Sequence, residues 1–213
     1  MATTTAPRSA PKLMSVEEFL AFYEKRPEGE RWQLLDGEAI MMTPPTRKHN
    51  RIGSNLAFAL NTHFQSARPE LYAYQGAGLI VPKVDLFRPE ADVAVDSAIA
   101  DDESYTDSFY LAAEIVSKSN TAREIAIKRK HYMAHPDNLY CLIIAQKKVS
   151  VELRARAAGW KPVMLGSLED TLALPEFGFS MPLAALFAGT PLAKPSDEWS
   201  PRDPNVPRSR APR

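Results

Sequence analysis

The stretch Leu111 to Tyr132, LAAEIVSKSNTAREIAIKRKHY, decides the fold, because it sets an acid inside an apolar strand and a basic helix directly behind it. The run FYLAAEIV is apolar at nearly every position, with Glu114 in its middle. A short run that is apolar on both alternating faces and bounded by polar residues predicts a strand covered on both sides. An ionised carboxylate there costs several kcal/mol or shifts its pKa unless a cation, a metal or hydrogen bonds compensate it. Ser117 to Thr121 predicts a turn and helix cap, followed by a helix that carries Lys128.

Composition sets the outer bounds. The 213 residues are long enough for one domain with a sizeable core, and 45% hydrophobic with 24% charged residues is ordinary for a globular chain. The formal net charge is +0, so bulk charge argues for no partner, and a nucleic-acid binder would need a local basic patch. The single cysteine, Cys141, lies in the apolar run LYCLII and reads as a core residue in a reducing compartment. No apolar run reaches the roughly 18 residues of a membrane span, and MATTTAPRSAPK lacks the apolar core of a secretion signal. These features predict a soluble, cytoplasmic protein with no membrane partner.

Working outward, Met1 to Lys12 is small, polar and proline-containing, which predicts a disordered arm. A folded domain is expected over residues 13–190. Ser15 and Glu18 form a capping box, with Met14 placed to staple onto Phe19, so a first helix runs to about Lys25. WQLLDGEAIMM reads as a hairpin around the Asp36-Gly37 turn, ended by Pro44 and Pro45. Ile52, Leu56, Ala59, Leu60 and Phe64 give helical spacing from Thr46 to Gln65, with His49 in the first turn. Three strands are expected next: Tyr72 to Tyr74, Leu79 to Val81 with an extension toward Phe87, and Ala91 to Asp96, with Gly76 and Gly78 as punctuation. LYCLIIA and VSVELRA predict a hairpin turning at Gln146 to Lys148, Trp160 to Leu165 one further strand, and MPLAALF a closing helical turn. From Pro191 to Arg213 the chain is rich in proline and charge, which predicts a disordered tail. The order of elements indicates an α/β or α+β domain with a mixed sheet, and no glycine-rich phosphate fingerprint follows any strand.

Asp92, Glu114 and Lys128 are the residues that together could carry chemistry. If Asp92 and Glu114 sit on neighbouring strands and share a face, two hard oxygen ligands converge, as Mg²⁺ requires. Thr121, Ile125, Lys128 and Tyr132 share one helix face, while Arg129 and Lys130 rotate toward solvent. Two acids and a lysine around a metal suit phosphodiester hydrolysis: the metal polarises the phosphate and acidifies a bound water, and the lysine orients that water or stabilises charge. Plainer readings stand beside this one. Asp92 also fits the polar face of a half-buried strand, Lys128 fits a surface pair with Glu124, and Glu114 with Lys128 fits a purely structural ion pair.

In order and spacing, WQLLDGEAIMMTPP with His49 and Ile52, then RPEADVAV, AAEIVSKSN, KRKHY, LYCLII and MPLAALF resemble the Uma2 family, also called DUF820. The resemblance spans Ser15 to Phe187. It implies a restriction-endonuclease-like fold of the PD-(D/E)XK superfamily, a mixed β-sheet core flanked by helices. It also implies a metal-dependent endonuclease acting on DNA, with Mg²⁺ or Mn²⁺ held by Asp92 and Glu114. Val116 stands where the superfamily's lysine is usual, and Lys128 on the following helix takes that role by resemblance. Gln33 replaces the family's common glutamate, Ile144 replaces an acid at the end of a later strand, and His49 matches a usual histidine. Gln33 and His49 are therefore secondary candidates, and Ser117 and Tyr132 read as capping and packing residues. The alternative is a catalytically inactive nuclease-fold protein that serves as a nucleic-acid-binding or assembly module. A homodimer is compatible with the resemblance, because duplex cutters often pair two sites.

Overall fold

The computed structural model describes residues 13–97, 104–117 and 120–193. The expected N-terminal arm lies outside the described residues, as does the expected tail apart from Pro191–Ala193, which form a short 3-10 turn. The elements are α1 (Val16–Tyr23), β1 (Trp32–Leu35), β2 (Glu38–Met41), α2 (Arg47–Ala67), β3 (Tyr72–Leu79), β4 (Glu90–Asp96) and β5 (Tyr105–Thr106). They continue with β6 (Leu111–Val116), α3 (Ala122–Ala134), β7 (Tyr140–Ala145), β8 (Val151–Ala155), β9 (Pro162–Leu165), β10 (Thr171–Leu174), β11 (Phe179–Pro182) and α4 (Leu183–Leu186).

This is a mixed α+β fold centred on a seven-stranded sheet of order β5-β3-β4-β6-β7-β8-β9. β6 and β7 run parallel, with α3 as the crossover between them, while β4, β8 and β9 pair antiparallel to their neighbours. Alternation along β6 divides the core. Leu111, Ala113 and Ile115 face α2, among Ile52, Leu56, Leu60 and Phe64. Ala112 faces α3, with Tyr132, Cys141 and Phe109. Glu114 points the same way as Ala112, so it meets α3. Cys141 is buried, in keeping with a core role.

Local signals predicted much of this. The Ser15 and Glu18 capping box forms, and Thr46 and Thr121 cap α2 and α3 by accepting from the backbone N–H three residues on. β1 and β2 form the expected hairpin, with Asp36 and Gly37 both at positive φ in its turn. The free edge of β1 is fastened close to that turn by reciprocal backbone bonds between Leu34 and Arg88.

Three expectations require correction. Tyr72 to Leu79 is one strand, and no strand extends from Leu79 to Phe87. Gly76 kinks it at φ +68° without breaking the register, because Gln75 pairs with Val93 and Ala77 with Ala91. The polar, acidic segment SAIADDESYTDS after Asp96, which reads as a loop in sequence, carries β5, two residues parallel to β3. Before the closing turn, β10 and β11 form a second hairpin whose Leu172, Leu174, Phe179 and Met181 seal the α2 side of the core. Strands of two to four residues have too few alternations to register as a pattern in sequence.

Gly76 stands across from Asp92, where the β3–β4 ladder loses a rung. A Cβ there would sit 3.0 Å from Glu90 Oε1 and 3.3 Å from the Arg31 guanidinium, in a backbone conformation that L-residues resist. Gly76→Ala should therefore destabilise the fold by about 1–2 kcal/mol. A lower urea midpoint at unchanged m-value is the expected result, and an unchanged midpoint would show that the kink is not required.

Candidate active site

The two strand acids are brought together by register. Val93 lies opposite Ala113, and the same alignment one residue further puts Asp92 across from Glu114. The ladder stops at that point. Asp92 Oδ2 accepts the Ile115 N–H at 2.6 Å, so the side chain does what a strand carbonyl would otherwise do. The Asp92 rung is thus absent on both sides of β4, and its carboxylate turns into a cleft instead.

The cleft has a volume of about 540 Å³. Its floor carries Asp92 and Glu114, and its walls come from the β1–β2 hairpin, the loop through Pro45, the start of α2, α3 and the end of β7. Four long-range contacts hold these walls apart at fixed spacing. Asp36 Oδ1 lies 2.8 Å from His131 Nε2, and Arg123 Nη1 donates to Glu38 Oε2 at 2.6 Å, so two bonds tie the hairpin to α3. Thr46 Oγ1 donates to Gln146 Oε1 at 2.9 Å, joining the α2 cap to β7. His49 Nε2 lies 3.1 Å from Asp92 Oδ2, joining the first turn of α2 to β4. Burial works against charge on His49, but the bond and charge of Asp92 outweigh it and raise its pKa above the ordinary value.

Behind Asp92 lies a closed network. Lys128 Nζ donates to Glu114 Oε2 at 2.8 Å and to the Glu90 carbonyl at 2.8 Å, while Tyr132 OH donates to Glu114 Oε1 at 2.7 Å. Glu114 and Lys128 are each only 2% exposed. Desolvation dominates at Glu114: it pushes the carboxyl up to about 7, against the pull of Lys128 and with the push of Asp92. Tyr132 is driven well above its ordinary value, first by burial and then by the Glu114 charge.

All five candidates, Asp92, Glu114, Lys128, Gln33 and His49, border this one cleft. Helical spacing correctly picked Lys128 out of the KRK run. Its partner is Glu114, while Glu124 bonds instead to the Thr121 cap. Arg129 is only half solvated, because its guanidinium takes both oxygens of Glu152. Tyr132 packs as expected, but it also donates directly to the buried acid, a role its position in the same helical stripe could have suggested. Gln33 is 4% exposed, and its Oε1 finds no partner among the described residues. Sequence reasoning missed Arg31, Lys48 and Lys147 on the rim. Arg31 alternates with Gln33 along the strand approach, a signal that was available, whereas its pairing with Glu90 was not. Lys48 and Lys147 come from segments 99 residues apart in sequence, which no local pattern could join.

This architecture, a seven-stranded mixed sheet flanked by helices, matches a nuclease fold. A crystal structure of a putative nuclease belonging to DUF820 from Anabaena variabilis ATCC 29413 superposes with a TM-score of 0.67 at 15% identity, covering 82% of this chain and 97% of that one. The family model Uma2, described as "Putative restriction endonuclease", matches residues 16–184, and the chain belongs to that family. No curated protein matches it.

Two outcomes follow from the buried network. Lys128→Met should cost about 3–5 kcal/mol by leaving Glu114 without its cation, Glu114→Gln should cost less because burial already favours the neutral acid, and the double variant should be tolerated better than Lys128→Met alone; urea unfolding measures all three. Because Glu114 is raised to about 7, the folded chain holds a proton there that the unfolded chain has already released. That contribution is full below the ordinary glutamate value and is lost as pH rises toward 7. Wild-type stability should therefore fall relative to Glu114→Gln across that window; a parallel pair of pH profiles would contradict the buried-acid assignment.

Proposed function

We propose that the chain is a metal-dependent endonuclease that hydrolyses DNA phosphodiester bonds, with Asp92 and Glu114 as metal ligands and Lys128 beside them. The observation that carries this is the placement of the two carboxylates across from each other on β4 and β6, bordering one cleft. Among the described residues no three His, Cys, Asp or Glu side chains gather into a metal-binding group. Two carboxylates are nevertheless the donor set of a Mg²⁺ or Mn²⁺ site, whose remaining positions go to water and phosphate oxygens. The bonds from Lys128 and Tyr132 use one lone pair on each Glu114 oxygen, so the carboxylate keeps acceptor capacity. When bound there, the cation would polarise the phosphate and lower the pKa of a water.

The protein's own groups have separable tasks. The Ile115 N–H and His49 fix the orientation of Asp92, so its carboxylate enters the cleft with little freedom. Lys128 supplies the positive charge that keeps Glu114 tolerable inside the sheet, and Tyr132 holds the other oxygen in place. Lys48 and Lys147 at the rim add positive charge toward a phosphate backbone. A non-catalytic DNA-binding protein is the second reading, favoured by one observation: both oxygens of Glu114 are already bonded within the protein.

Calorimetry with Mn²⁺ and a cleavage assay on mixed DNA substrates separate the two. The nuclease reading expects metal binding and metal-dependent cleavage, with Asp92→Ala and Glu114→Ala each lowering the rate at least a hundredfold, on the order expected when electrostatic stabilisation is removed. Cleavage that survives Glu114→Ala would belong to a contaminant, and absence of Mn²⁺ binding at millimolar concentration would favour the non-catalytic protein.

A further inference from the structure

The cleft holds more apolar surface beside its acids than a phosphate backbone can use. In the β1–β2 hairpin Gln33 pairs with Ile40, so the two side chains share a face. The Met42 N–H bonds to the Arg31 carbonyl, which extends the pairing by one step and puts Met42 on that face too. Pro44 and Pro45 continue the apolar wall, and all four of these apolar residues border the cleft. Set among them is the buried Gln33 amide, whose Oε1 has no donor among the described residues. A buried acceptor left unpaired costs free energy unless a ligand or water supplies the donor. Lys48 and Lys147 border the same cleft and form no ion pair among the described residues.

We infer that this wall is a pocket for an unpaired nucleotide next to the bond that is cut. The inference rests on the nuclease reading above and names the form of substrate that reading leaves open. In an intact duplex the base faces are stacked on one another, and a protein meets phosphates, sugars and base edges. A wall of isoleucine, methionine and proline is complementary to a base face exposed by unpairing, as with the apolar side chains that proteins set against unstacked bases. Gln33, which borders the cleft, rotates its amide to meet the polar edge of the base. Lys48 and Lys147 take the flanking phosphates. The volume of about 540 Å³ falls within the range of sites that enclose a small ligand, and a single nucleotide is such a ligand. Gln33 then differs in role from a metal-side acid: a neutral amide at this position recognises a base without adding charge to the cation site.

The test measures binding in EDTA, so that neither cleavage nor metal affinity contributes. Fluorescence anisotropy compares a perfect DNA duplex, the same duplex with one unpaired adenine, and that duplex with an abasic residue at the unpaired position. The unpaired adenine should tighten binding about tenfold, consistent with the stacking of one base, and the abasic residue should remove the gain. Gln33→Leu and, separately, Met42→Ser should reduce the gain and leave perfect-duplex affinity unchanged. Equal affinity for the paired and unpaired forms, or full retention of the gain by the abasic DNA, overturns the pocket. The nuclease reading fails separately. If Mg²⁺ supports no cleavage of any of these DNAs while the tenfold preference stands, the pocket survives and the nuclease assignment does not. If cleavage proceeds and binding ignores the unpaired base, the reverse holds.

Discussion

Burial of Glu114 is the constraint on which the rest of the structure depends. A carboxylate in the centre of a seven-stranded sheet must be answered by groups that are themselves buried, and α3 supplies them one helical turn apart in Lys128 and Tyr132. Their bonds fix the rotation and axial position of α3 over β6. Once α3 is fixed, His131 and Arg123 on the same helix reach Asp36 and Glu38, and the hairpin is held at a set distance from the sheet. The cleft is the space left between them. Its shape thus follows from where one acid had to be neutralised.

The two carboxylates illustrate how environment divides like groups. Glu114 is enclosed and pushed up to about 7, while the Asp92 side chain remains 21% exposed and bonds to Ile115 N–H and His49. One is set deep among protein donors and the other is presented to the cleft. Loss of the Asp92 rung on both sides of β4 and the glycine kink at Gly76 belong to the same device. A regular ladder would hold the backbone of Asp92 in the sheet, whereas here its side chain caps a neighbouring strand.

Legibility in the sequence followed the range of the interactions. Helix caps at Ser15, Thr46 and Thr121, the Asp36-Gly37 turn and the doubly covered strand at Leu111 could be read because each is written within a few residues. Lys128 could be separated from Arg129 and Lys130 by rotation about a helix axis alone. The short strands β5, β10 and β11 escaped because two to four residues do not establish a period and no turn dipeptide such as Asp36-Gly37 marks them. Lys147 and Lys48 escaped for another reason, since they share a cleft only after β7 and the α2 cap are joined through Gln146 and Thr46.

By itself the sequence determined the three long helices, the β1–β2 hairpin and the doubly covered strand at Leu111, that Glu114 is buried, and which lysine faces it. These are properties of periodicity and burial, and periodicity is local. Tertiary structure alone decided that Asp92 stands across from Glu114, that His49 bonds to Asp92, that Tyr132 donates to the buried acid, and that Gln33 borders the cleft with a buried, unpartnered oxygen. Each depends on strand register or on the docking of elements distant in the chain. Register is set by the summed packing of both sheet faces, and no single stretch of residues contains that sum.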